Sequence, residues 1–217
     1  MRKIAKPVVV VTAGPTREKI DPVRFISNYS TGRFGYEIAR EASSRGCRVT
    51  LISGPTNLKS PRGVKIVNVE SAADMKAAAE KASASADCVI MAAAVSDWRA
   101  RSPAARKIKR GSGRMVLELV ENPDIVAGLR NRVGRRTCIV GFALETEALE
   151  KNAARKLAKK ELDIIVANAI GERSTPFGDN NINIMIIDRS GNKTKVTGKT
   201  KRQAAKIILD KAFGFNI

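Results

Sequence analysis

The sequence predicts an α/β fold in which helices cover both faces of a mostly parallel β-sheet. Short, continuously apolar runs recur along the chain, for example over residues 8–11 and 87–94, and strands buried on both faces have this composition. Segments with apolar residues at helical spacing separate these runs, which is the alternation expected of βαβ units. A hydrophobic content of 43% supports a proper core, and 217 residues fit one domain.

Periodicity and turn residues place the individual elements. Strands are predicted over 7–12, 47–53, 64–69, 87–94, 114–120, 137–144 and 163–170, and helices over 34–45, 71–86 and 200–213. Gly46 is positioned to end the first helix, and Ser71 with Asp74 forms a capping box at the start of the second. Asn122-Pro123 predicts a further helix start, with the Asn as N-cap.

The C-terminal part predicts a β-hairpin formed by residues 182–188 and 193–197. A hairpin added to an α/β core commonly offers an edge that pairs with a second subunit. Neither a linker nor an internal repeat divides the chain. We therefore predict one three-layer, Rossmann-like domain over residues 1–217, with a small β extension at about 175–197 for dimerisation.

Composition excludes several kinds of chemistry. The chain has no histidine, and its three cysteines form no C-x-x-C pair, which argues against zinc sites and imidazole catalysis. Cys47, Cys88 and Cys138 lie at or inside apolar segments and are predicted to be buried structural thiols. Because no apolar run could span a bilayer and the N-terminus leads into a strand, we predict a cytoplasmic protein without membrane attachment.

The net charge of +19 predicts an anionic partner, either a nucleic acid or a phosphate-bearing small molecule. Only 4% of the residues are aromatic, so stacking platforms for single strands are scarce. No helix-turn-helix or zinc-finger pattern is present. These observations favour the small molecule, although much of the charge also fits solvated helix faces.

The first strand-to-helix connection, residues 12–35, is long for such a crossing and rich in groups that bind anions. These groups are glycines, neutral polar residues and arginines, namely Gly14, Gly32, Gly35, Ser27, Asn28, Ser30, Thr31, Arg17, Arg24 and Arg33. An ordinary surface loop is the alternative. The G-x-G-x-x-G spacing is absent and no acidic residue follows the second strand, which disfavours a nicotinamide or flavin oxidoreductase.

The segment AGPTREKIDPVRFISNYSTGRFG at 13–35 resembles the opening motif of the phosphopantothenate–cysteine ligase family. Further matches follow in the family's order and cover almost the whole chain: AAAVSDW at 92–98, KIK at 107–109, ENPDIV at 121–126, GFALET at 141–146 and TPFGDNN at 175–181. The resemblance implies a homodimeric enzyme of coenzyme A biosynthesis that joins 4′-phosphopantothenate to L-cysteine, with Mg²⁺ and a nucleoside triphosphate.

The resemblance also implies roles for individual residues. Asn28 and Lys107 would be catalytic. Nucleotide contacts would come from Met91, Ala92, Ala93, Asp97, Lys107, Pro123, Asp124, Ile125, Val126, Phe142, Lys156 and Lys160. Phosphopantothenate contacts would come from Arg24, Asn28, Ser30, Thr31, Gly32 and Gly35. Metal ligands are not assigned.

The residues alone leave alternatives open at several of these positions. Asp97 also fits a turn cap, Lys107 a solvated side chain, and Phe142 a core position. Lys156 and Lys160, four apart on one helix face, fit either a triphosphate site or a solvated face.

The AAVSD and KIK segments are similar to bacterial members, which implies CTP as co-substrate rather than ATP. Because the motif begins almost at residue 1, we expect either that the phosphopantothenoylcysteine decarboxylase is a separate protein or that the chain is a fragment, and we expect no flavin. Tyr29, Phe34 and Arg106 depart from the bacterial pattern, which bears on the detailed contacts of residues 98–113, expected to form a flap. The ATP-dependent ligase and a basic nucleic-acid-binding protein are the alternatives.

Overall fold

The computed structural model describes residues 6–111, 113–134, 136–170 and 181–214. The described strands are β1 Val8–Ala13, β2 Arg17–Lys19, β3 Phe25–Ser27, β4 Arg48–Ser53, β5 Val64–Asn68, β6 Cys88–Met91, β7 Trp98–Ala100, β8 Leu119–Glu121, β9 Cys138–Glu145, β10 Ile164–Ala169, β11 Ile182–Asp188 and β12 Lys193–Lys199. The described helices are α1 Arg33–Ser44, α2 Ala72–Ser83, α3 Ile125–Leu129, α4 Leu149–Lys159 and α5 Lys201–Phe213.

Within the described residues, the main sheet has eight strands in the order β12-β11-β10-β9-β6-β1-β4-β5. The neighbouring strands β10, β9, β6, β1, β4 and β5 are parallel to one another, and β11 and β12 are antiparallel additions at one edge. When these parallel strands are numbered one to six along the chain, their order across the sheet is 3-2-1-4-5-6. This is the strand order of doubly wound nucleotide-binding folds. The predicted three-layer, Rossmann-like fold class is confirmed.

Helices cover both faces of the sheet, because alternate residues of each strand point to opposite sides. Val9 and Val11 pack in the cluster that includes α1 and α5. Val10 packs in the cluster that includes α2, α3 and α4. The continuously apolar strands recognised in the sequence are therefore strands with two buried faces.

The cysteines are buried thiols, as predicted, and Cys88 lies opposite Cys138 across neighbouring strands. The hydrogen-bonding contact with Cys138, together with complete burial, raises the pKa of Cys88. This thiol therefore stays protonated near neutral pH and acts as a core side chain.

The capping box at the start of α2 is present as predicted. The Ser71 side chain accepts from the backbone N–H of Asp74, and the Asp74 carboxylate accepts from the backbone N–H of Ser71. We expect Ser71→Ala to lower the free energy of unfolding by about 1 kcal/mol, because it leaves a helix N–H without its acceptor. Urea denaturation measures this loss. An unchanged midpoint would show that water replaces the cap without cost.

The predicted hairpin is present: β11 and β12 form it and continue the main sheet at one edge, and residues 175–180 of the predicted extension lie outside the described residues. Two other predicted elements differ from the structure. The strand predicted over 114–120 begins only at Leu119 and continues to Glu121. The alternation there has no core to bury it, since Met115 and Val116 are exposed.

The second difference is the start of α3. Asp124 is its N-cap, not Asn122, and its carboxylate accepts from the backbone N–H groups of Val126 and Ala127. The Asn122 side chain instead donates to the carbonyl oxygen of Ser96. Both residues suit an N-cap, so the choice depends on a tertiary contact that the sequence does not reveal.

In the described part of the chain, two small antiparallel sheets accompany the main sheet. The sheet of β2 and β3 lies inside the long connection between β1 and α1, and β7 pairs with β8. The long connection is therefore a folded unit and not a plain surface loop. This unit follows β1, and the β7–β8 pair follows β6. Both therefore begin at the carboxyl ends of neighbouring parallel strands of the main sheet.

Candidate active site

A cleft of about 890 Å³ lies at the carboxyl ends of β6 and β9, and β6 is the neighbour of β1 in the main sheet. Strand order reverses between β1 and β6, and doubly wound sheets bind their ligands at such a switch point. The lining residues come from the end of the first connection, the segment after β6, the start of α3, the end of β9 and α4.

Small residues after β6 form one wall of the cleft, and hydrogen bonds fix its backbone. The N–H of Ala93 donates to Thr12 Oγ1 (3.2 Å), and the N–H of Ala94 donates to the carbonyl of Gly14 (2.9 Å). The N–H of Ser96 donates to Thr16 Oγ1 (2.9 Å). Because these side chains are short, a flat base or a ribose can approach the backbone closely.

Asn28 is anchored against the same wall. Its side-chain nitrogen Nδ2 donates to the carbonyl oxygen of Ala94 (3.0 Å). This bond directs the amide nitrogen to the protein backbone, so the amide oxygen faces the opposite side. Asn28 lines the cleft and is held in one orientation.

The N-terminus of α1 closes another side of the cleft. Its N-cap is Gly32, with a φ of 77°, and a Cβ there would lie 2.8 Å from Cγ2 of Thr56. Glycine is therefore required both by the conformation and by the contact. Ser30 and Thr31 line the cleft beside this helix end, where the helix dipole favours an anion.

Phe142 and Phe34 form an aromatic pair at the cleft. Their ring centroids are 5.2 Å apart with an interplanar angle of 83°, an edge-to-face contact. Both residues pack against the core and line the cleft. The two alternatives for Phe142 are thus compatible, because the ring fills the core and also offers a surface to a ligand.

Lys156 and Lys160 both line the cleft, but each has a carboxylate partner. Lys156 Nζ lies 2.7 Å from Glu145 Oε1, and Lys160 Nζ lies 3.1 Å from Asp124 Oδ2. These protein carboxylates compensate the two like charges, so the lysines can lie side by side without a bound anion. A triphosphate would share the two ammonium groups with these carboxylates.

Asp124 connects α3 to α4 electrostatically. Partial burial works against its ionised form, but hydrogen bonds from the N–H of Ala127 and from Lys160 outweigh it and lower the pKa of Asp124. The carboxylate is therefore charged at neutral pH and holds Lys160 at the cleft.

Almost all predicted nucleotide contacts are brought together in this cleft. Its lining includes Met91, Ala92, Ala93, Asp97, Pro123, Asp124, Ile125, Val126, Phe142, Lys156 and Lys160. Of the residues predicted to contact phosphopantothenate, Asn28, Ser30, Thr31 and Gly32 also line it.

Three predicted site residues lie outside the cleft lining: Lys107, Arg24 and Gly35. Lys107 is exposed on the loop after β7. Arg24 makes its hydrogen bonds to Asp21 and to the backbone of Ile108. A Cβ at Gly35 would lie 2.5 Å from the Cβ of Ala13, so this glycine is explained by close packing of α1 on β1.

Sequence reasoning missed several lining residues, among them Lys201, Asn168 and Leu162. Lys201 is buried although it begins a helix with a charged face, and its position after the N-cap Thr200 was the available signal. Asn168 lies near the end of β10, where a polar residue follows an apolar run. Its place next to β9 depends on the strand order.

Among the described residues, no three acidic or cysteine side chains cluster in a way that could bind a metal ion. In the same part of the chain, no helix is both long and apolar enough to cross a bilayer. Among the described residues, the acidic side chains that line the cleft are Asp97, Glu121 and Asp124.

The strand order, the cleft at its switch point and the small-residue wall define a Rossmann-like domain with a site suited to a nucleotide. The chain belongs to the family described as DNA/pantothenate metabolism flavoprotein C-terminal domain, whose sequence model matches residues 4–215.

Individual relatives agree with this family. The chain is 43% identical over 203 residues to the coenzyme A biosynthesis bifunctional protein CoaBC of Bacillus subtilis, covering 93% of this chain and 50% of the relative. It is 45% identical over 204 residues to a cysteine/cysteine sulfinic acid decarboxylase from an unknown prokaryotic organism, covering 94% of this chain and 57% of the relative. The chain thus spans about half the length of these curated relatives.

Among solved structures, the C-terminal domain of CoaBC superimposes with a TM-score of 0.80 at 36% sequence identity. The match covers 94% of this chain and 93% of that domain. The similarity therefore extends over nearly all of both folds, and the matched part is the C-terminal domain of that bifunctional protein.

Proposed function

We propose that the chain is a phosphopantothenate–cysteine ligase, which joins 4′-phosphopantothenate and L-cysteine in coenzyme A biosynthesis. The observation that supports this most is that the predicted nucleotide contacts, all except Lys107, line one cleft together with Asn28. These residues are distant in sequence and line the same volume in the folded chain, which supports a shared role. The family and the CoaBC relatives support the same activity.

The reaction has two steps. A carboxylate oxygen of phosphopantothenate attacks the α-phosphorus of the nucleoside triphosphate, the bond to the β-phosphate oxygen breaks, and pyrophosphate leaves. The amine of cysteine then attacks the acyl carbon of the acyl-nucleotidylate. The nucleoside monophosphate leaves with the former carboxylate oxygen, and the amine loses a proton.

This route suits a site without imidazole, because the substrates supply both nucleophiles. The enzyme contributes positioning and charge stabilisation. The wall from Met91 to Ala94 and the ring of Phe142 would hold the nucleoside. Lys156 and Lys160 would hold the triphosphate, and the start of α1 would hold the phosphate of phosphopantothenate.

Mg²⁺ fits this site as an ion that arrives on the triphosphate. Magnesium commonly uses phosphate oxygens, water and one or two carboxylates instead of an all-protein cage. Asp97 is an exposed carboxylate at the cleft and the best candidate to face the ion. The ion would neutralise phosphate charge during pyrophosphate departure.

The direct test is to incubate the purified protein with phosphopantothenate, cysteine, Mg²⁺ and each of the common nucleoside triphosphates. We expect pyrophosphate and the cysteine adduct, fastest with CTP. A rate with ATP at least as high as the rate with CTP would reject the CTP preference, but the ligase activity would still be supported. No pyrophosphate with any nucleotide would reject the ligase.

A homodimer and a cytoplasmic location belong to the same proposal. The strand β12 ends the main sheet and offers its outer edge to a second copy. Light scattering measures the oligomeric state directly.

Asn28→Asp is expected to let the acyl-nucleotidylate accumulate. The substitution replaces the amide that donates to Ala94 by a carboxylate, which repels that carbonyl and places negative charge beside the intermediate. Pyrophosphate should still form in the first turnover, while formation of the cysteine adduct falls by about 100-fold. Quenched-flow analysis of both products measures the split. Equal loss of both steps would refute a specific role in capture.

A further inference from the structure

We infer that Asp21 and Arg24 form a clamp that positions the loop of Lys107, residues 101–111, relative to Asn28. These two residues are positioning residues, and they act through Lys107. The inference rests on the proposed function for its catalytic consequence. Its structural basis is a set of hydrogen bonds between segments far apart in sequence.

The clamp binds both backbone groups of Ile108, the residue after Lys107. The N–H of Ile108 donates to Asp21 Oδ2 (3.1 Å), and one Arg24 guanidinium nitrogen donates to the Ile108 carbonyl oxygen (2.6 Å). Arg24 also donates twice to Asp21 Oδ2, at 3.0 and 2.6 Å. One ion pair thus holds the N–H and the C=O of a single peptide position.

Asp21 is rigidly held and charged. It is 2% exposed, and its Oδ1 accepts from the backbone N–H groups of Val23 and Arg24, both at 2.8 Å. Burial opposes ionisation, but hydrogen bonds from Val23, Ile108 and Arg24 outweigh it and hold the pKa of Asp21 well below its usual range. The carboxylate therefore remains an acceptor throughout the pH range of enzymes.

A second tether brackets Lys107. The N–H of Ala104 donates to the carbonyl oxygen of Ile20 (2.8 Å). Lys107 lies between Ala104 and Ile108, so both ends of its short segment are attached to residues 20–24. The backbone of the exposed loop is thus fixed on both sides of Lys107. A loop attached only through β7 and β8 would leave the Lys107 side chain free to take many positions.

The clamp also links the two predicted catalytic residues. Residues 20–24 lead through β3 directly to Asn28, whose amide is bonded to the cleft wall at Ala94. The positions of Lys107 and Asn28 are therefore set by one continuous segment. Loss of the clamp would leave Asn28 in place and release Lys107.

This geometry gives Arg24 a different role from direct binding of the substrate phosphate. Three of its hydrogen bonds go to Asp21 and Ile108, and it is absent from the cleft lining. If the Arg24 side chain bound the substrate phosphate, its removal would raise the KM for phosphopantothenate. A clamp residue would instead lower kcat for pyrophosphate formation.

Amide hydrogen exchange tests the clamp without reference to activity. Asp21→Asn and Arg24→Gln should each speed exchange of the Ile108 amide by about tenfold or more, because each removes part of its hydrogen-bonded enclosure. Glu41→Gln is the matched control, since it removes a carboxylate that binds Arg45 Nε at 3.0 Å on α1, away from the cleft. Unchanged exchange at Ile108 in both clamp variants would overturn the inference.

Kinetics test the consequence for Lys107. We expect both clamp variants to lower kcat for pyrophosphate release by about tenfold, with the KM for phosphopantothenate within about twofold of the wild type. In a Lys107→Gln background, the same substitutions should cause no further loss. If the substitution of the buried Asp21 unfolds the protein, the Arg24 variant still provides the test, because the Arg24 side chain is 40% exposed.

Two outcomes would contradict the kinetic consequence: a raised KM with unchanged kcat, or losses that multiply with that of Lys107→Gln. Wild-type protein that releases no pyrophosphate would refute the proposed function instead. The exchange measurement would then still decide whether the clamp exists.

Discussion

Replacing Lys107 with glutamine is expected to lower the rate of pyrophosphate release by about 100-fold, with little change in stability. The ammonium group would stabilise charge on the phosphates during attack at the α-phosphorus, and removal of one such group costs about this factor. The side chain is exposed, so its loss leaves the core unchanged. Because Lys107 is outside the cleft lining, this role requires its side chain to reach the bound triphosphate.

Single-turnover measurement of pyrophosphate release gives the size of the effect. Lys59→Gln is the control, because it removes the same charge from another exposed loop. If the Lys107 variant and the Lys59 variant react at the same rate as the wild type, Lys107 has no role in the first step, and the catalytic assignment taken from the resemblance fails.

Replacing Gly54 with alanine is expected to lower the free energy of unfolding by about 3 kcal/mol or more, the upper range for overpacking. The added Cβ would lie 1.9 Å from the carbonyl oxygen of Pro15 and 2.9 Å from its carbonyl carbon. Both are backbone atoms of the segment that follows β1, so they can move only if the chain shifts.

That shift would also damage the cleft. Pro15 forms a parallel bridge with Ala94, and the N–H of Thr16 donates to the carbonyl oxygen of Ala94 (3.3 Å). The same oxygen accepts from the side chain of Asn28. We therefore expect Gly54→Ala to reduce ligase activity even below its unfolding temperature.

Gly128→Ala provides the matched control for this substitution. Gly128 lies in α3, and a Cβ there would meet nothing within 4 Å. Alanine should be neutral or stabilising by about 0.5–1 kcal/mol at such a helical position. Thermal and urea unfolding of both variants would show the contrast. Equal stability of the two would mean that the segment after β1 adapts without cost.

The main features of the fold could be predicted because they depend on local patterns. Strands buried on both faces are continuously apolar, as in β1 and β6, and this identifies a parallel sheet before its order is known. Capping also depends on a few neighbouring residues, so Ser71 with Asp74 was recognisable. The burial of Cys88 and Cys138 followed from the same apolar segments.

The sequence predicted which residues belong to the candidate site better than it predicted the contacts between them. The motifs identified the residues of the cleft wall and of α4, but not that Glu145 and Asp124 pair with Lys156 and Lys160. Those pairs join elements far apart in sequence, so no local spacing indicates them. For the same reason, the bonds from Asp21 and Arg24 to Ile108 became visible only in the folded chain.

The failed strand over 114–120 has a different cause. Alternation of apolar and polar residues predicts a strand only where one face meets a core. Met115 and Val116 remain exposed, and pairing with β7 is confined to Leu119–Glu121. Periodicity within this segment therefore overestimated the length of the strand.

Isotope transfer tests the central claim, activation of the carboxylate at the α-phosphorus, most directly. Phosphopantothenate labelled with ¹⁸O in its carboxylate is converted with cysteine and the preferred triphosphate, and the phosphorus products are analysed by mass spectrometry. We predict one ¹⁸O atom in the nucleoside monophosphate and none in pyrophosphate. Label in inorganic phosphate, with release of a nucleoside diphosphate, would contradict the acyl-nucleotidylate route.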